Sequence, residues 1–191
     1  MTAPAARRPT VPSGLRVLAR AVWPATDGDA LPPIAGFIVS SFNPLVAEVA
    51  ERCLRERYAA PPAPPARAES TAVVLASVRG DTATATAVAD ALRAGRRVPP
   101  LLFFQSNPNA VLGHITARWG LAGPVVCTSP GGDALADGLA VARLLLADGD
   151  ATEVLVIAAE LADDSDRDGA TALLVGPAGP GTAPDEPDEP R

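Results

Sequence analysis

Apolar and polar positions along the chain fall into a few kinds of run, and each predicts an element. LRVLARAVW (15–23) puts Leu15, Val17, Ala19 and Ala21 on one side, with Leu18 and Val22 on the other, and predicts a first strand. NPLVAEVAERCLRERY (43–58) has a helical period. Leu45, Val46, Val49, Cys53 and Leu54 share one face, while Glu48, Glu51, Arg52, Arg55 and Glu56 fall mostly on the other. Asn43 as N-cap and Pro44 at the first helical position mark its start. STAVVLAS (70–77) is a short continuous apolar run, the pattern of a strand covered on both faces.

The remaining elements follow in the same way. Residues 81–94 predict a helix capped by Asp81 and stopped by Gly95, and a further helix over 109–119 is broken by GLAGP. VVCTS (125–129) predicts a third strand, followed by a helix in GGDALADGLAVARLLLADGD that ends at Gly149. EVLVIAAE (153–160) and GATALLVG (169–176) predict two more strands, joined by an acidic turn, LADDSDRD. The order β-α-β-α-(α)-β-α-β-β describes an α/β unit around a five-stranded mixed sheet with helices on both faces. The first strand is not followed by GxGxxG, and no acidic residue ends a second strand, which argues against a dinucleotide-binding fold.

The helix after VVCTS has an unusual pattern. From Ala134 to Ala147 only Asp137, Gly138 and Arg143 interrupt a run of Ala, Leu and Val. A helix apolar nearly all round is expected to be buried all round. One sheet layer offers it a single face, so either a second protein layer covers it or an apolar patch is exposed.

Composition narrows the function. Apolar residues make up 48% of the 191, but aromatics only 4%, so the core is built from Ala, Val and Leu. All 16 basic side chains are arginine, which rules out lysine as Schiff base, general base or phosphate clamp. No stretch is basic enough for a nucleic-acid footprint. No apolar run reaches the roughly 18 residues of a membrane span, and the first residues, lacking an apolar stretch, are expected not to act as a secretion signal. Two distant cysteines make no disulfide framework. The expectation is a cytoplasmic protein with neither cofactor nor metal. Residues 1–13 and 177–191 are expected to be disordered segments flanking a single domain over 14–176.

PNAVLGHITARWGLAGP (108–124), followed by a small-residue turn, DAL, a long apolar helix ending in DGD and an apolar strand, resembles the N-terminal half of a β-ketoacyl synthase. FIVSSFNPLVAEVAERCL and VVLASVRGDTATA are weaker matches in the right places. SPGGDAL is also similar to the turn of chain-length factors, the non-condensing partners of ketosynthases in polyketide and aryl-polyene pathways. The resemblance implies a thiolase-like fold over about residues 14–176. It also implies that the VVCTS strand pairs across a dimer axis and that the apolar helix packs on an equivalent helix. Asn107, Pro108, Asn109, Gly113, His114, Gly123, Pro124, Val125, Val126, Cys127, Gly131 and Gly132 then belong to the dimer interface and acyl channel.

Condensing members need a cysteine at the N-terminus of the central helix, plus two histidines and a lysine supplied by the C-terminal half. Here the nucleophile position falls on Thr128 or Ser129, with Cys127 one or two places early. Three readings of Cys127 stay open: a small apolar residue closing a buried strand, a displaced nucleophile without a base, or a working thioester site served by His114 or a partner's histidine. Cys53, on an apolar helix face, reads as core. His114 reads as a helix-face or interface residue, and Asn107 and Asn109 as caps. Gly131 and Gly132 read as turn glycines permitting close backbone approach rather than as a phosphate cradle.

The resemblance with these departures implies a catalytically incompetent subunit. It would pair with a full-length ketosynthase, or with itself, and an acyl chain on an acyl carrier protein would be the substrate of the complex. The alternatives are a half-length enzyme performing acyl transfer or thioester hydrolysis through Cys127 or Ser129, and a structural homodimer.

Overall fold

The computed structural model describes residues 10–161 and 168–179. Five strands form one sheet in the order β1 (Leu15–Trp23), β5 (Gly169–Pro177), β4 (Glu153–Glu160), β2 (Thr71–Ala76), β3 (Val125–Thr128). β2 pairs in parallel with both β3 and β4, whereas β5 runs antiparallel to β4 and to β1. β3 is therefore an edge strand. The acidic turn expected between β4 and β5 lies, over 162–167, outside the described residues.

Alternation along the central strands divides the core. Val73, Leu75, Leu155, Ile157, Ala172 and Leu174 face the layer made by α1 (Phe42–Tyr58) and α5 (Pro108–Trp119). Ala72, Val74, Val154, Val156, Leu173 and Val175 face α6 (Ala134–Ala147), the one helix on that side among the described residues. The expected helices on both faces are present. Short helices α2 (Pro65–Ala68), α3 (Thr82–Arg93) and α4 (Pro100–Gln105) fill the connections.

Two expectations need correction, and a third alternative is decided. The imperfect alternation of β1 is a register shift between Val17 and Ala19. It turns Leu15 toward the α6 side, while Leu18, Ala19 and Ala21 join the α1 side. Asn43 is not the N-cap of α1, which starts at Phe42 after Ser41. Its amide is instead buried, donating to Ser40 Oγ (2.8 Å), Asp81 Oδ2 (3.1 Å) and the Gln105 carbonyl (3.1 Å). α6 buries only Gly138, Leu139 and Ala142, and Leu144 is 59% exposed, so of the two outcomes its sequence left open this chain shows the exposed apolar patch. One sheet face covers one helix face, and no other described element lies on top.

Two glycines set the spacing of the layers. A Cβ on Gly138 would lie 2.7 Å from Val156 Cγ1, so α6 rests on β4 through a bare backbone. A Cβ on Gly123 would lie 2.5 Å from the Thr71 carbonyl oxygen, at the entry to β3. Close approach was expected at Gly131 and Gly132, but both are exposed with nothing within 4 Å of an added Cβ. The tight contacts lie on either side of that turn. Gly113 is likewise unconstrained.

Candidate functional site

Motif residues converge where β3 ends and α6 begins. Asn107 caps α5 by accepting from the Asn109 N–H (3.0 Å), as its capping role requires, and Pro108 occupies the first turn. The capped helix then aims Asn109 at the sheet edge, where its Oδ1 accepts from the Cys127 thiol at 3.3 Å. Pro124 locks the approach to β3 by accepting from the Val73 N–H (2.9 Å). Beyond the strand, Asp133 caps α6 by accepting from the Ala136 N–H at 3.1 Å.

Cys127 is exposed, which overturns the reading of a cysteine closing a buried strand. The reason is topological: β3 has a neighbour on one side only, and Val125 beside it is 44% exposed. Partial desolvation raises the thiol above its ordinary value. An amide oxygen takes its hydrogen, and a raised pKa favours thiol over thiolate. Cys53 is core as expected, and burial pushes its thiol up to about 12.

Thr128 and Ser129, the two residues expected at the nucleophile position, are placed differently from each other. Ser129 donates its hydroxyl to the Val78 carbonyl (3.1 Å), an acceptor that takes up no proton at neutral pH. Thr128 Oγ1 is buried without a hydrogen-bond partner among the described residues. His114 is on the helix that carries Asn109, five residues on, about 140° around the axis. Its ring meets Phe37 edge-on (6.4 Å) and lines a groove with Pro33, Glu48, Glu51, Arg118 and Trp119. The histidine thus faces the α1 layer, while Asn109 faces Cys127.

A recess of about 400 Å³ opens beside the N-terminus of α6, lined by Trp23, Pro24, Asp133, Leu135, Ala158 and Glu160, among others. Sequence reasoning did not include it, because it joins the ends of β1, β4 and β5, which lie far apart along the chain. The buried Ser40–Asn43–Asp81–Thr84–Gln105 cluster was also missed. Asp81 accepts from the Thr84 N–H (3.0 Å) and hydroxyl (2.6 Å), and Gln105 donates to Thr84 Oγ1 (2.8 Å). The sole sequence trace of it is polar side chains in otherwise apolar surroundings.

A mixed five-stranded sheet, helices on both faces and a strand-to-helix turn at the sheet edge define a thiolase-like domain of the ketosynthase kind. The family model "Beta-ketoacyl synthase, N-terminal domain" matches residues 28–166, and the chain belongs to that family. No curated protein matches it. Among solved structures it is similar to a chain of the ketosynthase ApeO in complex with its chain length factor ApeC from Xenorhabdus doucetiae. That match has a TM-score of 0.66 and 18% identity, covering 87% of this chain and 80% of that one. The ishigamide ketosynthase/chain length factor gives 0.62 and 21%, with 80% of this chain on 48% of the other. A β-ketoacyl synthase from Burkholderia phymatum gives 0.65 and 15%, with 88% on 59%. At these identities the likeness concerns the fold. The chain spans about half the length of the latter two. Among the described residues, no helix is long and apolar enough to cross a membrane.

Proposed function

We propose that this chain is a non-condensing, ketosynthase-like subunit that pairs with a full-length ketosynthase and shapes that partner's acyl tunnel. The observation that carries this reading is the uncovered outer face of α6. Leu144, Ala136, Ala140 and Ala147 are exposed on a helix whose inner face, Leu139 and Ala142, is fully packed. An apolar helix surface of this kind favours burial against another protein. The open edge of β3 adds unpaired backbone groups beside it. In two similar solved structures, a ketosynthase is described together with a chain length factor.

The turn supports a non-condensing role. A condensing site needs a thiolate with a base nearby. Here the Cys127 hydrogen goes to Asn109 and the Ser129 hydroxyl goes to a backbone carbonyl. The acyl chain, carried on an acyl carrier protein, is then the substrate of the assembled pair. Asn107, Asn109 and Cys127 line the shared boundary, and this subunit bounds the tunnel without attacking the thioester.

The test is co-expression with full-length ketosynthases from the same organism, followed by measurement of oligomeric state and of product chain length with and without the subunit. A stable pair with altered product length is expected. Separate elution with unchanged products would overturn the reading.

The exposure of Cys127 favours a second reading, in which two copies form a half-length enzyme for acyl transfer or thioester hydrolysis. Incubation with an acyl-thioester and intact-mass measurement separates the two. An adduct lost in Cys127→Ala or Ser129→Ala would favour the enzyme.

A further inference from the structure

Two charges stand among the apolar positions on the outer face of α6. The helix turns about 100° per residue, which sets Ala136, Ala140, Leu144 and Ala147 within about 40° of one outward line through Ala140. All four are exposed, and Gly138, Leu139 and Ala142 are buried on the other side. Asp137 and Arg143 come three residues before and after Ala140, on opposite flanks of that line and about 60° from it. Arg143 is exposed and Asp137 half-buried. Neither side chain has a hydrogen-bond or ion-pair partner among the described residues.

A chain laid over this face takes both charges out of water. A charge so buried is costly unless an opposite charge meets it, so the placing of the two decides what fits. A second copy of this chain fits badly. Consider two α6 helices related by a two-fold axis, crossing at Ala140 and packed lengthwise at a shallow angle. With the helices antiparallel, Asp137 falls opposite Leu144 of the other copy and Arg143 opposite its Ala136, each to within about 1.5 Å along the axis. With the helices parallel, Asp137 meets Ala136 and Arg143 meets Leu144. In both arrangements each charge is set against an apolar side chain. The antiparallel pair also brings Asp133 of one copy beside Asp148 of the other, a like-charge contact at each end.

We propose that Asp137 and Arg143 make this face selective for a helix of a different protein and exclude a second copy. The fitting helix has an apolar stripe for Leu144 and the alanines, a carboxylate facing Arg143 and a lysine or arginine facing Asp137. Arginine suits its part because its planar fork takes a carboxylate in two hydrogen bonds. The complement of the face is thus a different sequence from the face itself.

The inference rests on the proposed pairing with a ketosynthase, whose facing helix it describes. It also supplies a physical reason for that pairing to be heterologous. An apolar helix face left open attracts any apolar surface, its own copy included. Two flanking charges retain the attraction for a complementary helix and oppose the symmetric pair.

The test uses the full chain in two arms, with circular dichroism checking that each variant is folded. In the first, Ala140→Cys is combined with Cys127→Ser, which leaves the buried Cys53 as the sole other cysteine. Disulfide formation with copper phenanthroline as oxidant then reports contact between two α6 helices. Little crosslinked dimer is expected with the charges intact, and about tenfold more with Asp137→Ala/Arg143→Ala in the same background. Equal crosslinking in the two backgrounds would overturn the proposal. In the second arm, Asp137→Arg/Arg143→Glu is co-expressed with full-length ketosynthases from the same organism and should pair about tenfold more weakly or worse than the unaltered chain. Full pairing by this variant would overturn the charge selectivity and leave the pairing itself standing. Failure of the unaltered chain to pair would instead overturn the proposed function, and this inference with it.

Discussion

Gly138→Ala sets two effects of known size against each other. On an exposed helix, replacing glycine with alanine stabilises by about 1 kcal/mol, because the backbone has less freedom to lose. At this position the new Cβ would lie 2.7 Å from Val156 Cγ1, whereas carbon atoms pack best at about 3.5–4.0 Å. The overlap is about 1 Å with a fully buried valine on a central strand. Its other neighbours, Ala76 Cβ at 3.5 Å and Val74 Cγ1 at 3.9 Å, are at ordinary contact distance, so a single methyl group carries the clash. Overpacking of this kind costs about 1–3 kcal/mol, enough to cancel or exceed the propensity gain. We expect Gly138→Ala to lower the urea midpoint with an unchanged m-value. Val156→Ala alone costs about 2 kcal/mol through its cavity, but in the double variant the new methyl group enters that space. The pair should therefore show a favourable coupling of at least about 0.5 kcal/mol. A Gly138→Ala variant more stable than the wild type, or a strictly additive double variant, would refute the close packing of α6 on β4.

Gly123→Ala should be more damaging than Gly138→Ala, because its Cβ would meet the Thr71 carbonyl at 2.5 Å and backbone cannot rotate away as a side chain can; comparison of the two urea midpoints checks this. A thiol reagent should modify Cys127 in the native protein and Cys53 only after unfolding, with the Cys127 rate still rising at pH values where an unperturbed thiol has levelled off. Leu144→Glu should leave the unfolding free energy of the isolated chain within about 0.5 kcal/mol of wild type while abolishing ketosynthase pairing on size exclusion; retained pairing would remove α6 from the interface. Burial raises the Glu51 carboxyl, but hydrogen bonds from Arg118, Trp119 and Arg55 more than offset this and leave it below its ordinary value. A depressed carboxylate contributes stability above its unfolded pKa and loses it as pH falls through the folded one. Glu51→Gln should therefore cost about 1 kcal/mol at neutral pH, and thermal melts of variant and wild type should converge in acid.

Most of the fold could be read from the sequence because its elements carry local signals. Asp81 caps α3, Asn107 caps α5, and the unbroken TAVVLA run is buried at every position. Positions that depend on distant partners were harder to read. Asn43 has the look of a cap by type and by the proline that follows it. Its actual role depends on Asp81 and Gln105, 38 and 62 residues away. The alternation in β1 breaks because a bulge reverses its faces, and pairing with β5 at the far end of the chain determines where that bulge falls.

The two apolar segments at the candidate site share one feature. VVCT and the α6 sequence are as apolar as core segments, yet both are exposed on one side. A run of apolar residues records that a surface is covered in the working protein, without recording which chain covers it. Within this chain β2 satisfies one side of β3, and the sheet satisfies one side of α6. The remaining apolar surface on both elements lies next to Cys127, at the turn where other members of the fold family do their chemistry. Leu144 and Val125 are exposed where their sequence context reads as interior. Under the proposed pairing, that mismatch marks the surface a partner covers, and the turn between β3 and α6 is then a boundary between chains.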